Sequence, residues 1–103
     1  MIYKIWVDDV RQPPESFIQS YTWIQTVENV KKFIEAVEAQ DNSIIEILDL
    51  DHDAGEFGPP DYIKILDWLE ETGRNYPIHI HSMNPVGVQN MRAIIRKNGW
   101  TEV

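Results

Sequence analysis

Apolar residues recur along this chain in two alternating patterns, which are short unbroken runs and longer stretches with helical spacing. Residues 2–7 form an almost continuous apolar run, which is typical of a strand buried inside an α/β sheet. Over residues 27–39 the apolar positions recur every three or four residues, which predicts an amphipathic helix behind the N-cap Thr26. Strands that alternate with helices imply a mainly parallel sheet of four to five strands, covered by helices on both faces.

Two further helices are predicted from their caps and spacing. One ends at Gly73, and the other begins at Asn84 and Pro85 and ends at Gly99. The residues predicted to line their buried faces are Tyr62, Leu66, Leu69, Val88, Met91 and Ile95. The remaining predicted strands cover residues 21–24, 44–48, 78–81 and 100–103, and turn-forming residues occupy positions 12–16 and 55–60.

The composition is that of one small globular domain. The 103 residues are 43% hydrophobic and 25% charged, and nothing divides them, so residues 1–103 are expected to form a single domain. A net charge of -8 disfavours binding to double-stranded DNA or to a membrane, but it allows a small phosphorylated ligand beside a bound cation. Since cysteine, a signal peptide and a membrane-spanning run are all absent, the chain is expected to be cytoplasmic.

Charged and imidazole side chains follow three of the predicted strands at the point where each strand ends. The three clusters are Asp8-Asp9, Asp51-His52-Asp53 and His81-Ser82. Neighbouring carboxylates repel one another, so such crowding is favourable only when a cation, a proton or a positive ligand offsets the charge. Because ligands of open α/β sheets bind beyond the carboxyl ends of the strands, the three clusters predict one shared site.

The carboxylates predict a site for a divalent cation. Asp8, Asp9 and Asp51 are expected to hold magnesium or manganese, because hard cations prefer oxygen ligands. The alternative for Asp8 and Asp9 is a structural role, since aspartate initiates turns readily.

The two imidazoles of these clusters are predicted to transfer protons. Imidazole ordinarily titrates near neutral pH, so one of His52 and His81 is expected to take a proton from a nucleophile while the other protonates a leaving oxygen. Asp51 and Asp53 complete the predicted catalytic set. The alternative is a structural histidine, which is the expected role of His79 because it lies deeper in its strand.

A phosphate ligand would need hydrogen-bond donors and positive charge. Arg11 can hold a phosphate with two parallel hydrogen bonds. Ser82, Asn84 and Gly87 surround the start of the third predicted helix, where free N–H groups favour an anion. Asn84 has the alternative of acting only as an N-cap. The four tryptophans are dispersed rather than interleaved with basic residues, which favours packing roles over base stacking.

Three segments, in this order, carry a specific pattern across nearly the whole chain. They are Trp6-Val7-Asp8-Asp9-Val10-Arg11 with Pro13, Leu50-Asp51-His52-Asp53, and His81-Ser82-Met83-Asn84-Pro85-Val86-Gly87 with Asn90-Met91. Together they resemble the cyclic-phosphate-processing receiver-like domain, a family related to the receiver domains of two-component signalling. The resemblance implies a three-layer, receiver-like (flavodoxin-like) α/β sandwich that acts on a cyclic phosphate of a nucleotide or RNA end.

The same resemblance implies roles for single residues. It matches Asp8 and Asp9 to the acidic metal-binding pair of receivers, Asp51 to their phosphoacceptor and Ser82 to their switch hydroxyl. The chain also departs from ordinary receivers. No lysine occupies a fifth-strand position, residues 11–20 leave little room for a first helix, and the histidines of the second and third clusters are additional.

These observations lead to one expected function and two alternatives. The expected function is hydrolysis of a cyclic phosphate by a histidine and aspartate site with a divalent cation. The first alternative is a non-catalytic sensor or interaction module that binds a phosphorylated ligand in the same pocket. The second is a receiver that is phosphorylated on Asp51, which the absent lysine disfavours.

Overall fold

The chain folds as a parallel β-sheet with helices between the strands. The computed structural model describes residues 1–14, 20–53 and 61–103. Within them lie strands β1 (Ile2–Val7), β2 (Thr22–Ile24), β3 (Ile44–Leu50) and β4 (Ile78–Ile80), and helices α1 (Val27–Glu38), α2 (Ile63–Thr72) and α3 (Pro85–Lys97). The strands are all parallel and lie in the order β2-β1-β3-β4. This arrangement confirms the predicted α/β, receiver-like fold class.

Local capping chemistry sets the helix ends where the sequence predicts them. Thr26 Oγ1 accepts a hydrogen bond from Asn29 N (3.1 Å) at the start of α1. Asn84 Oδ1 accepts one from Gly87 N (3.0 Å) at the start of α3. Gly73 follows α2 with φ at 68°, a conformation that a side chain would strain. No helix in the described part of the chain is long and apolar enough to cross a membrane.

Several elements differ from their predicted extent. β3 continues two residues further than predicted, to Leu50, because its end pairs with the last residues of β1 and β4. The predicted last strand is reduced to a single bridge between Glu102 and Ile78. On α3, Val88 is half-buried rather than buried. The predicted turn over residues 55–60 and the end of the one over 12–16 lie outside the described residues.

The three described helices pack on one face of the sheet. Ile5, Leu48 and Ile78 are neighbours across three strands and fully buried on this face, and the buried residues of all three helices join the same hydrophobic core. The steps from β2 to β3 and from β3 to β4 run in one direction, so right-handed connections place their helices on one side. This differs from the prediction of helices on both faces, since the described residues place no helix on the second face.

The second face carries the side chains that alternate with the core. Trp6, Asp49 and His79 lie next to one another on this face, across β1, β3 and β4. The described part of the β1–β2 connection lies against it, because Trp6 Nε1 donates a hydrogen bond to Arg11 O (2.7 Å) and Pro13 is buried. A loop therefore covers the polar groups at this end of the second face.

Candidate functional site

Three carboxylates meet at the carboxyl edge of the sheet. Asp8 and Asp9 follow β1, and Asp51 follows the neighbouring strand β3. One ligand oxygen of each lies within 4.8 Å of the other two, a spacing at which one cation can contact all three. We call these three residues the acidic edge. The parallel sheet thus joins the first two clusters of the sequence.

Asp8 is the buried member of the acidic edge, with a side chain only 1% exposed. Its Oδ1 accepts hydrogen bonds from the backbone N–H groups of Val10 (3.0 Å) and Arg11 (2.8 Å). Its Oδ2 lies 3.0 Å from His81 Nε2. A buried carboxylate requires such partners because removing its charge from water is costly. The turn after β1 and the end of β4 therefore fix the orientation of Asp8.

Asp9 bears most of the repulsion within the acidic edge. Burial, followed by the carboxylates of Asp8 and Asp51, raises the pKa of Asp9. Burial, together with the same carboxylates, also raises the pKa of Tyr62, whose hydroxyl donates to Gln25 O (2.7 Å). A divalent cation would relieve this repulsion, and an all-oxygen donor set is what magnesium and manganese prefer. The residues present therefore fit the predicted metal.

His81 is enclosed between two carboxylates. Its Nε2 lies 3.0 Å from Asp8 Oδ2 and its Nδ1 lies 2.7 Å from Asp49 Oδ1. The ring is stacked on Trp6, with 3.8 Å between centroids and 6° between planes, and the side chain is 8% exposed. Since each ring nitrogen faces a carboxylate, both contacts are satisfied when both nitrogens carry a proton. In that state the ring has no lone pair with which to accept a proton from a substrate.

Asp49, which lies within β3, contacts the side of the His81 ring opposite Asp8. Its Oδ1 also lies 3.0 Å from His79 Nδ1, and its Oδ2 accepts a hydrogen bond from Tyr21 Oη (3.3 Å). Burial alone would raise the pKa of Asp49, but the hydrogen bonds from His81 and His79 outweigh burial and hold this pKa below its ordinary value. We call the chain Asp49–His81–Asp8 the buried relay.

His52 forms a separate pair with Asp53. Its Nδ1 lies 2.7 Å from Asp53 Oδ1, and this hydrogen bond lowers the pKa of the Asp53 carboxyl. The described residues offer no partner to His52 Nε2, and the side chain is 13% exposed. Asp61 belongs to the same group, with ligand atoms within 4.8 Å of those of His52 and Asp53.

The start of α3 holds the His52 ring in place. A Cβ on Gly87 would lie 2.4 Å from His52 Cγ, so the ring packs directly on the helix backbone. Asn84 connects the two parts, because its side-chain oxygen caps Gly87 N (3.0 Å) while its amide nitrogen donates to Asp53 Oδ1 (3.3 Å). The close approach that Gly87 permits is therefore to an imidazole of the chain itself.

Arg11 and Ser82 lie beside these groups. Arg11 is exposed, its Nη1 donates to His81 O (3.5 Å), and within the described residues its guanidinium forms no salt bridge. Ser82 Oγ accepts a hydrogen bond from Asn84 N (3.1 Å), and among the described residues its own proton has no acceptor.

A family model described as the cyclic-phosphate processing receiver domain matches residues 3–97. The chain belongs to this family. No curated protein and no solved structure shows a significant match. The family assignment agrees with the four-stranded parallel sheet and with the acidic edge at its carboxyl end.

In this receiver domain the predicted site residues form two adjoining groups rather than one. Asp8 and His81 belong to the buried relay, which reaches toward the second face. His52 and Asp53 lie against α3, and Asp51 lies between the groups because its Oδ1 accepts a hydrogen bond from His52 N (2.8 Å). Within the described residues, no hydrogen bond joins the two imidazoles or gives them a common carboxylate.

Two residues of the receiver domain's site were not identified from the sequence. Asp49 interrupts an apolar strand between Leu48 and Leu50, and Trp6 occupies the neighbouring position on β1. The alternation of side chains along β3 could have identified Asp49, because it puts this carboxylate on the face opposite the core. Its contacts with His79 and His81 could not be foreseen, because these residues lie about thirty positions further along the chain and reach Asp49 only through the strand order.

Proposed function

We propose that this protein binds a cyclic phosphate of a nucleotide or RNA end at the acidic edge and hydrolyses it. The observation that supports this most strongly is the pair of His52 and Asp53 beside the acidic edge. A carboxylate on Nδ1 fixes the tautomer of an imidazole, so that the opposite nitrogen, Nε2, carries the lone pair of a general base. Membership of a family named for cyclic-phosphate processing agrees with this chemistry.

The negative charge of the ligand requires compensation at an edge that is itself acidic. Asp8, Asp9 and Asp51 would hold magnesium or manganese, which would polarise a phosphoryl oxygen and offset its charge. Arg11 adds a mobile positive charge on one side of the edge, and the hydroxyl of Ser82 adds a hydrogen-bond donor. These groups orient the phosphorus between the acidic edge and His52.

Hydrolysis then proceeds by a single displacement at phosphorus. His52 Nε2 takes a proton from a water molecule, whose oxygen forms a bond to phosphorus while the bond to one ribose oxygen breaks. The ribose oxygen leaves as a hydroxyl after taking a proton from solvent, and the product is a phosphomonoester. Asp53 stabilises the imidazolium that forms on His52.

His81 enters this proposal as a positioning residue, which differs from its expected role as a second acid or base. Both of its nitrogens are engaged by carboxylates, and the ring is enclosed against Trp6. Its effect on the reaction is to hold Asp8 in the orientation that the cation requires.

The test is incubation of the protein with 2′,3′- and 3′,5′-cyclic nucleotides, with and without magnesium or manganese, followed by ³¹P NMR. We expect a metal-dependent phosphomonoester, and a loss of about 100-fold or more in kcat for His52→Gln, as for removal of a general base. His79→Gln is the matched control, because it removes an imidazole from the second face. Intact substrates under every condition would contradict the proposal.

A receiver-like role is the second candidate, and one observation favours it. The acidic edge places Asp51 beside Asp8 and Asp9, as the resemblance to receivers implies for a phosphoacceptor. Treatment with a small phosphodonor and mass spectrometry of the peptide that contains Asp51 would detect a phosphoryl group. Its presence, together with unchanged cyclic nucleotides, would favour this role over hydrolysis.

A further inference from the structure

A cavity of about 500 Å³ lies along strand β2, next to the acidic edge. We call it the β2 cavity; Trp23, Gln25, Asn29, Lys32 and Phe33 are among its lining residues. Its volume falls within the range of about 300–1,000 Å³ that is usual for small-molecule sites. Neither the family assignment nor the proposed chemistry gives this cavity a role.

Two hydrogen bonds connect the cavity directly to the acidic edge. Trp23 Nε1 donates to Asp8 O (2.8 Å), and Gln25 Nε2 donates to Asp9 O (3.2 Å). Both lining residues thus contact the backbone of Asp8 and Asp9, whose side chains are proposed to hold the cation beside the phosphate. Whatever is attached to that phosphate has the β2 cavity as its neighbour.

The charge of the cavity differs from that of the whole chain. The chain has a net charge of -8, yet among the described residues that line the cavity none is acidic and one is Lys32. Among the described residues, Lys32 forms no salt bridge, and the side-chain amide of Asn29 has no hydrogen-bond partner. These groups are available to the carbonyl oxygens and ring nitrogens of a polar ligand.

Two of the residues that line the cavity are aromatic. Trp23 is 39% exposed and Phe33 is half-buried. β2 is the edge strand of the sheet, so one side of its backbone has no neighbouring strand. An aromatic surface with spare hydrogen-bond groups suits a nucleobase, whose face stacks and whose edge carries donors and acceptors.

We propose that the β2 cavity binds the nucleoside of the cyclic-phosphate ligand, with the base against Trp23. This inference rests on the proposed function and adds the site at which the nucleoside part of its substrate binds. Asn29 and Lys32 supply the polar contacts to the base.

The test compares ligands that differ only in the base. A His52→Gln protein, which should not consume its ligand, is titrated calorimetrically in magnesium with nucleoside 2′,3′-cyclic phosphates and with ribose 2′,3′-cyclic phosphate lacking a base. We expect the nucleotide to bind at least about tenfold more tightly, which corresponds to about 1.4 kcal/mol. Trp23→Leu should remove most of this preference, and Asn29→Ala should reduce it.

Lys31→Gln is the matched control, because Lys31 lies on the same helix but lines a different cavity. NMR of the indole N–H groups gives a readout without substitution. Because Trp23 Nε1 also donates to Asp8 O, its signal should move with both ligands, and it should move further with the nucleotide than with the ligand that lacks a base. Failure of every cyclic phosphate to bind would overturn the proposed function. Equal binding of both ligands, or equal weakening of both by Trp23→Leu, would overturn the nucleoside site alone.

Discussion

His52 and His81 differ in how many of their ring nitrogens are occupied by carboxylates. His81 has an aspartate on each nitrogen and an indole against its face, so the position of its ring is fixed. Among the described residues, His52 has an aspartate on one nitrogen only. An imidazole held on both sides orients its neighbours, whereas one held on a single side can exchange a proton. The proposed function therefore gives the two histidines different roles.

The first prediction concerns the buried relay. Asp49→Asn keeps the size of the side chain but removes the charge that faces His81 and His79. We expect a loss of about 2 kcal/mol in the free energy of unfolding at pH 7, because hydrogen bonds to charged groups contribute roughly this amount. Urea unfolding measures the loss. Asp41→Asn, in an exposed turn, is the control and should change stability little.

The pH dependence of this difference follows from the pKa of Asp49. Its folded-state pKa lies below the ordinary value of 3.8, so the carboxylate contributes its full stability above about that pH. The contribution is lost as the pH falls through the folded-state pKa. The difference in the free energy of unfolding between the wild type and Asp49→Asn should therefore be constant near neutral pH and should disappear in acid. A difference that increases in acid would contradict a lowered pKa of Asp49.

Single residues of the site were predictable where their chemistry is local. Asp8, Asp9 and Asp51 were identified because each follows an apolar strand directly, and parallel strands end at the same edge. The distinct roles of the two histidines were not predictable, because they depend on which carboxylates approach each ring from other strands. Asp49 acquires its role only through the register of β3 with β4.

At the scale of elements, the start of α3 connects the fold to the proposed chemistry. Asn84 caps the helix and also contacts Asp53, and Gly87 supports the ring of His52. The cap was predictable because it follows from neighbouring residues, whereas the contact between Gly87 and His52 joins two distant segments. Likewise, helix ends followed from the sequence, but the packing of α1, α2 and α3 on one face required the strand order.

The second prediction is that Gly87→Ala disturbs His52 although alanine favours a helix. Its Cβ would lie 2.4 Å from His52 Cγ, so the ring must move away from Asp53. Helix propensity alone would stabilise the variant by up to about 1 kcal/mol. We expect a net loss of stability in thermal unfolding and a change in the His52 ring signals in NMR. Gln89→Ala, at an exposed position of α3, is the control, and a more stable Gly87→Ala with unchanged His52 signals would contradict the prediction.

At the scale of the whole molecule, negative charge is concentrated where the strands end. The three carboxylates of the acidic edge are part of the net charge of -8, and they are closer together than repulsion alone would favour. The three described helices lie on one face of the sheet, and the described part of the β1–β2 connection lies against the other. The molecule therefore carries an electrostatic cost at a place where a cation can bind.

The third prediction follows from that cost. Without divalent ions, Asp9→Asn should raise the melting temperature, because it removes a carboxylate whose pKa is raised by burial and by Asp8 and Asp51. A raised folded-state pKa means that this penalty is absent below the ordinary value of 3.8 and develops as the pH rises through the folded-state pKa. The higher melting temperature of Asp9→Asn should therefore be observed at neutral pH and disappear in acid.

Magnesium should make the melting temperature of the wild type higher than that of Asp9→Asn, which reverses their order without divalent ions. With about 10 mM magnesium and a Kd of about 1 mM, binding stabilises the wild type by roughly 1.4 kcal/mol, or a melting temperature increase of roughly 5–10 °C for a domain of this size. Asp9→Asn should gain much less, because it lacks one ligand and one charge. Sodium chloride at equal ionic strength controls for screening, and Asp41→Asn controls for net charge. Equal shifts in the wild type and Asp9→Asn would mean that magnesium binds elsewhere, and Asp61→Asn would then test the group around His52 and Asp53.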